Sequence, residues 1–538
     1  MEFWTPHNLK NVTSGQWLEP PAEGGHILGG ISTDTRNINP GQVFLAIAGD
    51  NFDGHDYLGA AIEAGASMLI VMDKEKAKKA PLPGAGAVSC LVVTDSITAL
   101  QALARAYRDV LKQTNTMVIG VTGSNGKTTT RHLIHTALST TLKGTQSPKS
   151  FNNHLGVPLT ILAASTDDDF VVSEIGSNFP GEIAFLAEIV RPDIGVITSV
   201  GTAHIGHFGT KEAIANEKAS LLLHVQPDGL VVIPDEGAAF DDMFGPDDPD
   251  RKMAPATAVA TVLETLPKTI EVAQLDEFVF GDQVAIVQPS DPIRGNLVFE
   301  VGESLEIRLP MLGAHNAYNA LIAITVARYM NVPDEKIKEG LENVDAVPMR
   351  MEVKRFGEAN DPLVLINDCY NANPDSMYEA INELINSPLP KPGGRRVAIL
   401  GDMNELGDIA IECHNDLGQF ILIDSWGSRN LPPGVGGSDI PFDEEPPTIH
   451  LVILIGELAM CTADVLVRGL PGMILDRFPR ERVLMYSEWS DDLPEKLAKK
   501  LNLGDVVLLK ASRGMQFERL IPAMEKRFGR AEPLTSDS

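Results

Sequence analysis

Short, nearly continuous apolar runs recur along the chain, separated by stretches in which apolar residues return every three or four positions. The first kind reads as a strand buried on both faces and the second as an amphipathic helix, and their alternation marks a parallel sheet wrapped in helices. Residues 31–71 carry such runs, including 43–47, and an Ala-rich helical stretch over 58–66. A helical pattern over 97–112 leads into the run 117–122. Runs at 170–175 and 194–200 alternate with helical stretches, among them 213–224 and the apolar helix within 309–327. A third set, at 363–367, 397–400, 451–455 and 506–509, repeats the alternation. The pattern predicts an α/β protein of three domains, residues 1–112, 113–347 and 348–538. The central one is built on a parallel sheet and the last is a Rossmann-like, doubly wound sheet.

Two stretches break the rhythm. Residues 235–276 are acidic and contain proline, and residues 427–447 are rich in Gly, Pro and acids; both read as loops or insertions. Composition adds exclusions. With 44 Lys plus Arg against 73 Asp plus Glu, the formal charge of −29 disfavours nucleic acid and anionic membrane as partners, so any phosphate ligand must be held locally. The four cysteines, Cys90, Cys369, Cys413 and Cys461, have no paired spacing and indicate neither a zinc site nor a disulfide framework. No apolar segment reaches about 18 residues and the start lacks a leader pattern, so a cytoplasmic protein without membrane insertion is expected. No Gly-x-Gly-x-x-Gly fingerprint follows a strand, which leaves a dinucleotide cofactor unsupported.

The clearest chemistry lies at residues 120–130, Gly-Val-Thr-Gly-Ser-Asn-Gly-Lys-Thr-Thr-Thr, directly on the run 117–122. A Gly-rich turn opening a helix aims backbone N–H groups at phosphate oxygens, Lys127 neutralises their charge, and the Thr128 hydroxyl suits Mg²⁺. A nucleoside triphosphate is therefore the expected ligand of Gly123, Ser124, Asn125, Gly126, Lys127, Thr128 and Thr129. The usual cradle places glycine where Val121 stands; here Gly123 opens a tighter turn. Glu174 ends the run 170–175, where a carboxylate is either a Mg²⁺ ligand or a solvated strand end. His204 follows the run 194–200 and on pattern alone is structural or a metal ligand. Lys218, in the helical stretch 213–224, reads on pattern alone as a solvated lysine. Asn316 and Asn319 share a helical face and either cap the helix or bind a base edge. Arg350 lies past a Pro-containing junction, as a surface arginine or as a guanidinium brought onto phosphate by a hinge. Asp368 ends the run 363–367, and the turn Tyr370-Asn371-Ala372-Asn373-Pro374 after it is either a ligand loop or a strand stop.

In order, these pieces resemble the Mur ligase family of peptidoglycan precursor synthesis over nearly the whole chain. Ser-Thr-Asp-Thr-Arg at 32–36, Asp-Gly-His at 53–55, Asn-Asn-His-Leu-Gly-Val-Pro-Leu-Thr at 152–160, Asp-Cys-Tyr-Asn-Ala-Asn-Pro-Asp-Ser-Met at 368–377, Gly-Asp-Met-Asn-Glu-Leu-Gly at 401–407 with His414 beyond it, and Lys-Ala-Ser-Arg-Gly-Met at 510–515 carry the likeness. The resemblance implies that Thr128, Glu174, His204 and Lys218 hold two Mg²⁺ ions, with Lys218 carbamylated. It implies that the triphosphate is ATP, that Asn316 and Asn319 lie on the adenine side, and that Arg350 and Asp368 close over ATP. Ser32, Arg36, Asp53, Gly54, His55, Asn152 and Asn153 then hold a UDP-N-acetylmuramoyl tripeptide. Tyr370, Asn371, Asn373 and Ser376, with Lys510, Ser512 and Arg513, form the side of the site that takes D-alanyl-D-alanine. The catalytic set so implied is Lys127, His204, Lys218 and Arg350, in a monomer. Pro234-Asp235-Glu236 departs from the family's usual turn, and no role is carried over to it.

The implied reaction is ATP-dependent amide formation through an acyl phosphate. The competing readings are a family member that adds a single amino acid at another step, and a non-catalytic ATP-binding switch of the same fold.

Overall fold

The computed structural model describes residues 3–22, 27–82, 87–234, 265–267, 271–275, 278–279, 282–293, 295–302, 305–357, 361–426, 449–469 and 478–530. The stretch 427–447, and residues 235–264, 268–270 and 276 of the other acidic stretch, lie outside them.

The first apolar runs form a five-stranded sheet in the order Gln16–Glu19, Ser89–Val92, Met68–Val71, Val43–Leu45, Ile31–Ser32, antiparallel only at Gln16–Glu19. The helix Ser96–Gln113 closes this unit, with the Asp95 carboxylate accepting from the Thr98 N–H at its start. Apolar side chains on that helix share one core with the helices Gly156–Ala163 and Glu182–Val190 of the next unit. Arg108, 1% exposed, donates to the Val190 and Arg191 carbonyls and to Asp193 at 2.7 Å, so its buried charge is paired across the junction.

The central sheet runs Glu271–Leu275, Leu230–Pro234, Ile194–Ile197, Met117–Thr122, Phe170–Glu174, Gly144–Gln146, parallel throughout. Helices cover both faces, which is why Phe170–Glu174 and Ile194–Ile197 are buried at every position and are rich in apolar residues. One expectation is corrected here: Glu271–Leu275, inside the stretch taken as a loop, is an edge strand in register with Leu230–Pro234. Five residues of strand are diluted in a long acidic, Pro-containing window, so composition hid them. A four-stranded antiparallel sheet, Phe278–Val279, Asp282–Asp291, Asn296–Val301 and Leu305–Leu309, follows without having been foreseen.

The third sheet runs Glu352–Phe356, Leu363–Asn367, Val506–Lys510, Arg396–Gly401, Leu451–Ile455, Val483–Tyr486, with only the first strand antiparallel. Val364, Ile366, Ala398 and Leu400 enter one apolar cluster, while Leu363, Leu365, Val397 and Ile399 enter another. This two-residue alternation between two covered faces is the doubly wound arrangement. The carboxyl ends of the central and third sheets meet across a single cavity. Among the described residues no helix is long and apolar enough to cross a membrane.

Candidate functional site

The cavity, about 1270 Å³, is lined by the ends of both sheets and by the helix Ala314–Tyr329. On the central side, strand Met117–Thr122 runs into the turn 123–126 and then the helix Lys127–Leu138. Gly123, at φ +150°, packs so tightly that a Cβ would collide with Thr198 Oγ1 and approach Ser199 N to 2.9 Å. Gly126, at φ +78°, would bring a Cβ to 2.6 Å from Asn319 Oδ1. Both positions require glycine for backbone conformation and for space, and this fixes the tight spacing seen in the sequence. Lys127 Nζ folds back to donate to Gly123 O at 2.7 Å and Ser124 O at 3.0 Å. Burial, against the opposing pull of Glu174 and with added repulsion from Arg350, brings its amine down to about 8.

Glu174, 1% exposed, gathers several partners. Thr128 Oγ1 donates to Oε2 at 2.9 Å, Asn152 Nδ2 donates to Oε1 at 2.9 Å, and Arg131 Nε stands 3.4 Å from Oε2. The solvated alternative for Glu174 is thereby removed. Asn152, expected among the sugar-peptide ligands, sits on this carboxylate, while Asn153 accepts from the Leu155 and Gly156 N–H groups at the start of a helix. Both still line the cavity.

Lys218 corrects the reading from pattern alone: it is 1% exposed, not solvated. It lies in the helix Lys211–Ala219, which turns two charged residues inward, Glu217 and Lys218, against what helical periodicity suggests. Its Nζ donates to Ser177 Oγ at 2.8 Å and lies 5.9 Å from the centroid of the Phe208 ring. Burial first, then the nearby Lys127 charge, pushes its amine down to about 7. The adjacent Glu217 caps the helix Glu182–Val190, accepting from Gly181 N at 2.7 Å and Ile183 N at 2.8 Å. His204, in the left-handed region at φ 61°, places Nδ1 2.6 Å from Glu405 Oε2 of the third unit, at ion-pair distance but without hydrogen-bond alignment.

Asn316 and Asn319 do not cap their helix, whose N-cap is Gly313. Asn316 Nδ2 donates to Leu312 O at 2.6 Å, Asn319 Nδ2 to Asn316 Oδ1 at 2.8 Å, and Thr130 Oγ1 to Asn319 Oδ1 at 3.0 Å. They weld the helix Ala314–Tyr329 to the cradle helix and line the cavity beside the turn.

From the third unit, Asp368 Oδ2 pairs with Lys510 Nζ and its Oδ1 accepts from Met351 N. Lys510 Nζ also donates to Asn371 O at 3.2 Å. The Arg350 guanidinium stacks 4.1 Å over the Tyr370 ring. Hydrogen bonds that clasp this unit to the central one include Tyr370 Oη to Ser150 Oγ at 2.6 Å, Asn373 Nδ2 to Asn125 Oδ1 at 2.8 Å, and Thr202 N to Asp375 Oδ2 at 2.7 Å. Asn373 and Ser376 also form a reciprocal capping box on the helix Pro374–Asn386.

Other expected site residues lie elsewhere. Ser512 Oγ accepts from Asn404 N, and Arg513 pairs with Glu518 at 2.5 Å; neither lines the cavity. The N-terminal group is also apart from it. Ser32 Oγ bonds within its own turn, and exposed Arg36 pairs with Asp34. His55 Nδ1 donates to Asp53 at 2.6 Å while its Nε2 accepts from Met72 N and Asp73 N, so the ring is fully used in holding the fold. Asp53 also holds Lys76 at 2.7 Å, a contact that lowers the carboxyl group. Gly54 allows close approach to the strand end, where a Cβ would lie 2.8 Å from Ile47 N. Arg131, Ser177, Glu217 and Asp375 escaped the sequence reading. Their only signal was proximity in sequence to Lys127, Glu174, Lys218 and Asn373.

Comparison with known proteins places this geometry. The Mur ligase family, catalytic domain, matches residues 28–108; the Mur ligase middle domain matches 121–327; and the Mur ligase glutamate ligase domain matches 349–433. The UDP-N-acetylmuramoyl-tripeptide--D-alanyl-D-alanine ligase of Bacillus subtilis is 32% identical over 518 residues, 96% of this chain and 97% of its own. The Treponema pallidum protein of the same name is 29% identical over 94% of this chain and 95% of its own. A crystal structure of MurF from Acinetobacter baumannii superposes with a TM-score of 0.70 at 26% identity, covering 97% of this chain and 99% of that one. With its tight-spaced cradle, its three α/β units and this match from end to end, the chain belongs to the Mur ligase family.

Proposed function

We propose that this chain is an ATP-dependent ligase that joins D-alanyl-D-alanine to a UDP-N-acetylmuramoyl tripeptide, giving the pentapeptide precursor of peptidoglycan. The observation that carries the reading is the single cavity at which the phosphate cradle and the third sheet's carboxyl end meet, clasped by the Asn125–Asn373 bond. The 32% identical relative that bears this ligase name supports it along the full length of both chains.

In this reading a carboxylate oxygen of the tripeptide attacks the γ-phosphorus of ATP and ADP leaves; the dipeptide nitrogen then attacks the acyl carbon, and phosphate and a proton depart. Lys127 leaves its loop carbonyls to offset charge on the phosphates, and Arg350, stacked on Tyr370 at the cavity wall, supports the transferring group. The clasped units exclude water from the acyl phosphate. The N-terminal unit, with residues 32–36 and 53–55, takes the UDP-sugar end, and the segments 368–377 and 510–513 take the dipeptide. We assign domain limits of 1–112, 113–347 and 348–538, and a cytoplasmic monomer.

The donor set suits Mg²⁺ bound together with phosphates rather than in an all-protein cage. Among the described residues no three His, Cys, Asp or Glu side chains converge, whereas Thr128 and Glu174 present hard oxygens beside the cradle. Bound there, Mg²⁺ supplies charge neutralisation. A second ion at His204 requires an anionic Lys218. An amine brought to about 7 is substantially neutral at physiological pH, the form that adds CO₂ to give a carbamate.

Phosphate release from ATP, measured with UDP-muramoyl tripeptides carrying lysine or diaminopimelate, is expected only when D-alanyl-D-alanine is present. Turnover with free amino acids but not the dipeptide overturns the assignment. Lys127→Ala is expected to lower kcat/KM at least about 10³-fold. Intact mass of the native protein reports the carbamate on Lys218, and added short carboxylates are expected to restore part of the activity of Lys218→Ala.

A further inference from the structure

One buried carboxylate at the cavity has no cation. Glu174 faces Arg131, Asp368 faces Lys510, and Glu379 faces His315. Glu182, half-buried, accepts from two backbone N–H groups at the start of its own helix. Asp375 is 7% exposed and lines the same cavity. Thr202 takes up its Oδ2 through both N–H, at 2.7 Å, and Oγ1, at 2.9 Å, and these are its side-chain hydrogen bonds among the described residues. Its Oδ1 has no protein partner there, and no ion pair offsets its charge. A carboxylate held in place with one oxygen open to the cavity is a docking point for a cation that the site's working state brings to it.

The position of Asp375 narrows which cation that is. The Thr202 bonds hold the carboxylate at the mouth of the cradle: a Cβ added to Gly201 would strike Asp375 Oδ2 and lie 3.6 Å from Ser124 Cβ. Phosphate, of the same sign, is not its partner. Mg²⁺ bound together with phosphates needs only one or two carboxylates, and Glu174 with Thr128 already offers it hard oxygens beside the cradle. The remaining cation of the ligase reaction is the ammonium of the incoming dipeptide, with three donors to share. It would enter beside Asn373 and Ser376, on the same helix start. We propose that Asp375 binds the ammonium group of the dipeptide acceptor and holds it at the mouth of the cradle, where the acyl phosphate forms. This rests on the ligase reading above.

Asp375→Asn keeps an oxygen for Thr202 and removes the charge. Phosphate release is measured with the dipeptide, ATP and Mg²⁺ varied in turn. The KM for D-alanyl-D-alanine is expected to rise about tenfold to a hundredfold, the range of a charge-assisted hydrogen bond, with the other two constants within about threefold. D-lactoyl-D-alanine, in which a hydroxyl replaces the ammonium, is expected to inhibit the parent with a Ki at least about tenfold above the dipeptide KM, and the variant with the same Ki. The parent measurement holds even where the variant does not fold. A dipeptide KM unchanged in the variant, an equal rise in all three constants, a rise confined to Mg²⁺, or a lactoyl analogue that binds the parent as well as the dipeptide overturns the proposal. A parent that releases no phosphate in response to the dipeptide overturns the ligase reading and this proposal with it.

Discussion

Lys218 in the central unit and Lys510 in the third are both 1% exposed, yet their surroundings differ in kind. Lys510 ends a strand of the sheet and meets the Asp368 carboxylate, which keeps a fixed cation at the cavity wall. Lys218 comes from a helix and among the described residues meets the Ser177 hydroxyl and the Phe208 ring face, and burial drives its amine toward neutrality. A buried lysine with a carboxylate is an electrostatic fixture, whereas one without is a nucleophilic amine. One residue type thus serves two chemistries, Lys510 at the cavity wall and Lys218 behind the lining Ser177.

The largest test of that contrast removes the partner of Lys510. Asp368→Asn leaves a buried ammonium without its counter-charge and is expected to cost about 3–5 kcal/mol in stability, read by urea unfolding. A loss below about 1 kcal/mol would make the pair no more than a surface bridge.

Next in size is the pH dependence at Lys218. Its folded value of about 7 lies below the unfolded value of about 10.4, so between them the unfolded chain holds a proton that the folded chain has released. Stability therefore rises with pH through that window, and the penalty of burying the amine is complete below pH 7. In CO₂-free buffer Lys218→Met is expected to be the more stable protein at pH 7, and its advantage to shrink by about 2 kcal/mol by pH 9. An advantage independent of pH would mean that Lys218 stays protonated when buried.

The smallest test concerns the clasp that brings the two ends together. Asn373→Ala removes the bond to Asn125 and one half of a capping box, and is expected to cost about 1–2 kcal/mol in unfolding free energy, with a weaker KM for ATP.

Much of the scaffold was legible because burial on both faces writes itself into the chain. Runs such as Phe170–Glu174 and Leu363–Asn367 are apolar for that reason, and the glycines of the cradle are required by its geometry. Less of the site was legible. Pattern alone made Lys218 a solvated lysine, since a charged residue turned inward leaves no mark in the periodicity of its helix. His55 drew notice in a motif, yet its ring is spent on Asp53 and two backbone N–H groups. Asn152 and Asn153 line the cavity, yet the motif did not show that one also holds Glu174 and the other starts a helix. The strand Glu271–Leu275 was lost in acidic surroundings.

By itself the sequence determined that there are α/β sheets, where the phosphate turn sits and which family the motifs resemble, because these depend on local spacing and on residue types that backbone geometry demands. Only the tertiary structure decided which polar groups are paired. That Asp368 neutralises Lys510, and that among the described residues Lys218 touches no carboxylate and Asp375 faces the cavity without a cation, are facts of contact between segments up to 173 residues apart. Charge and burial act through space, so no local pattern records them.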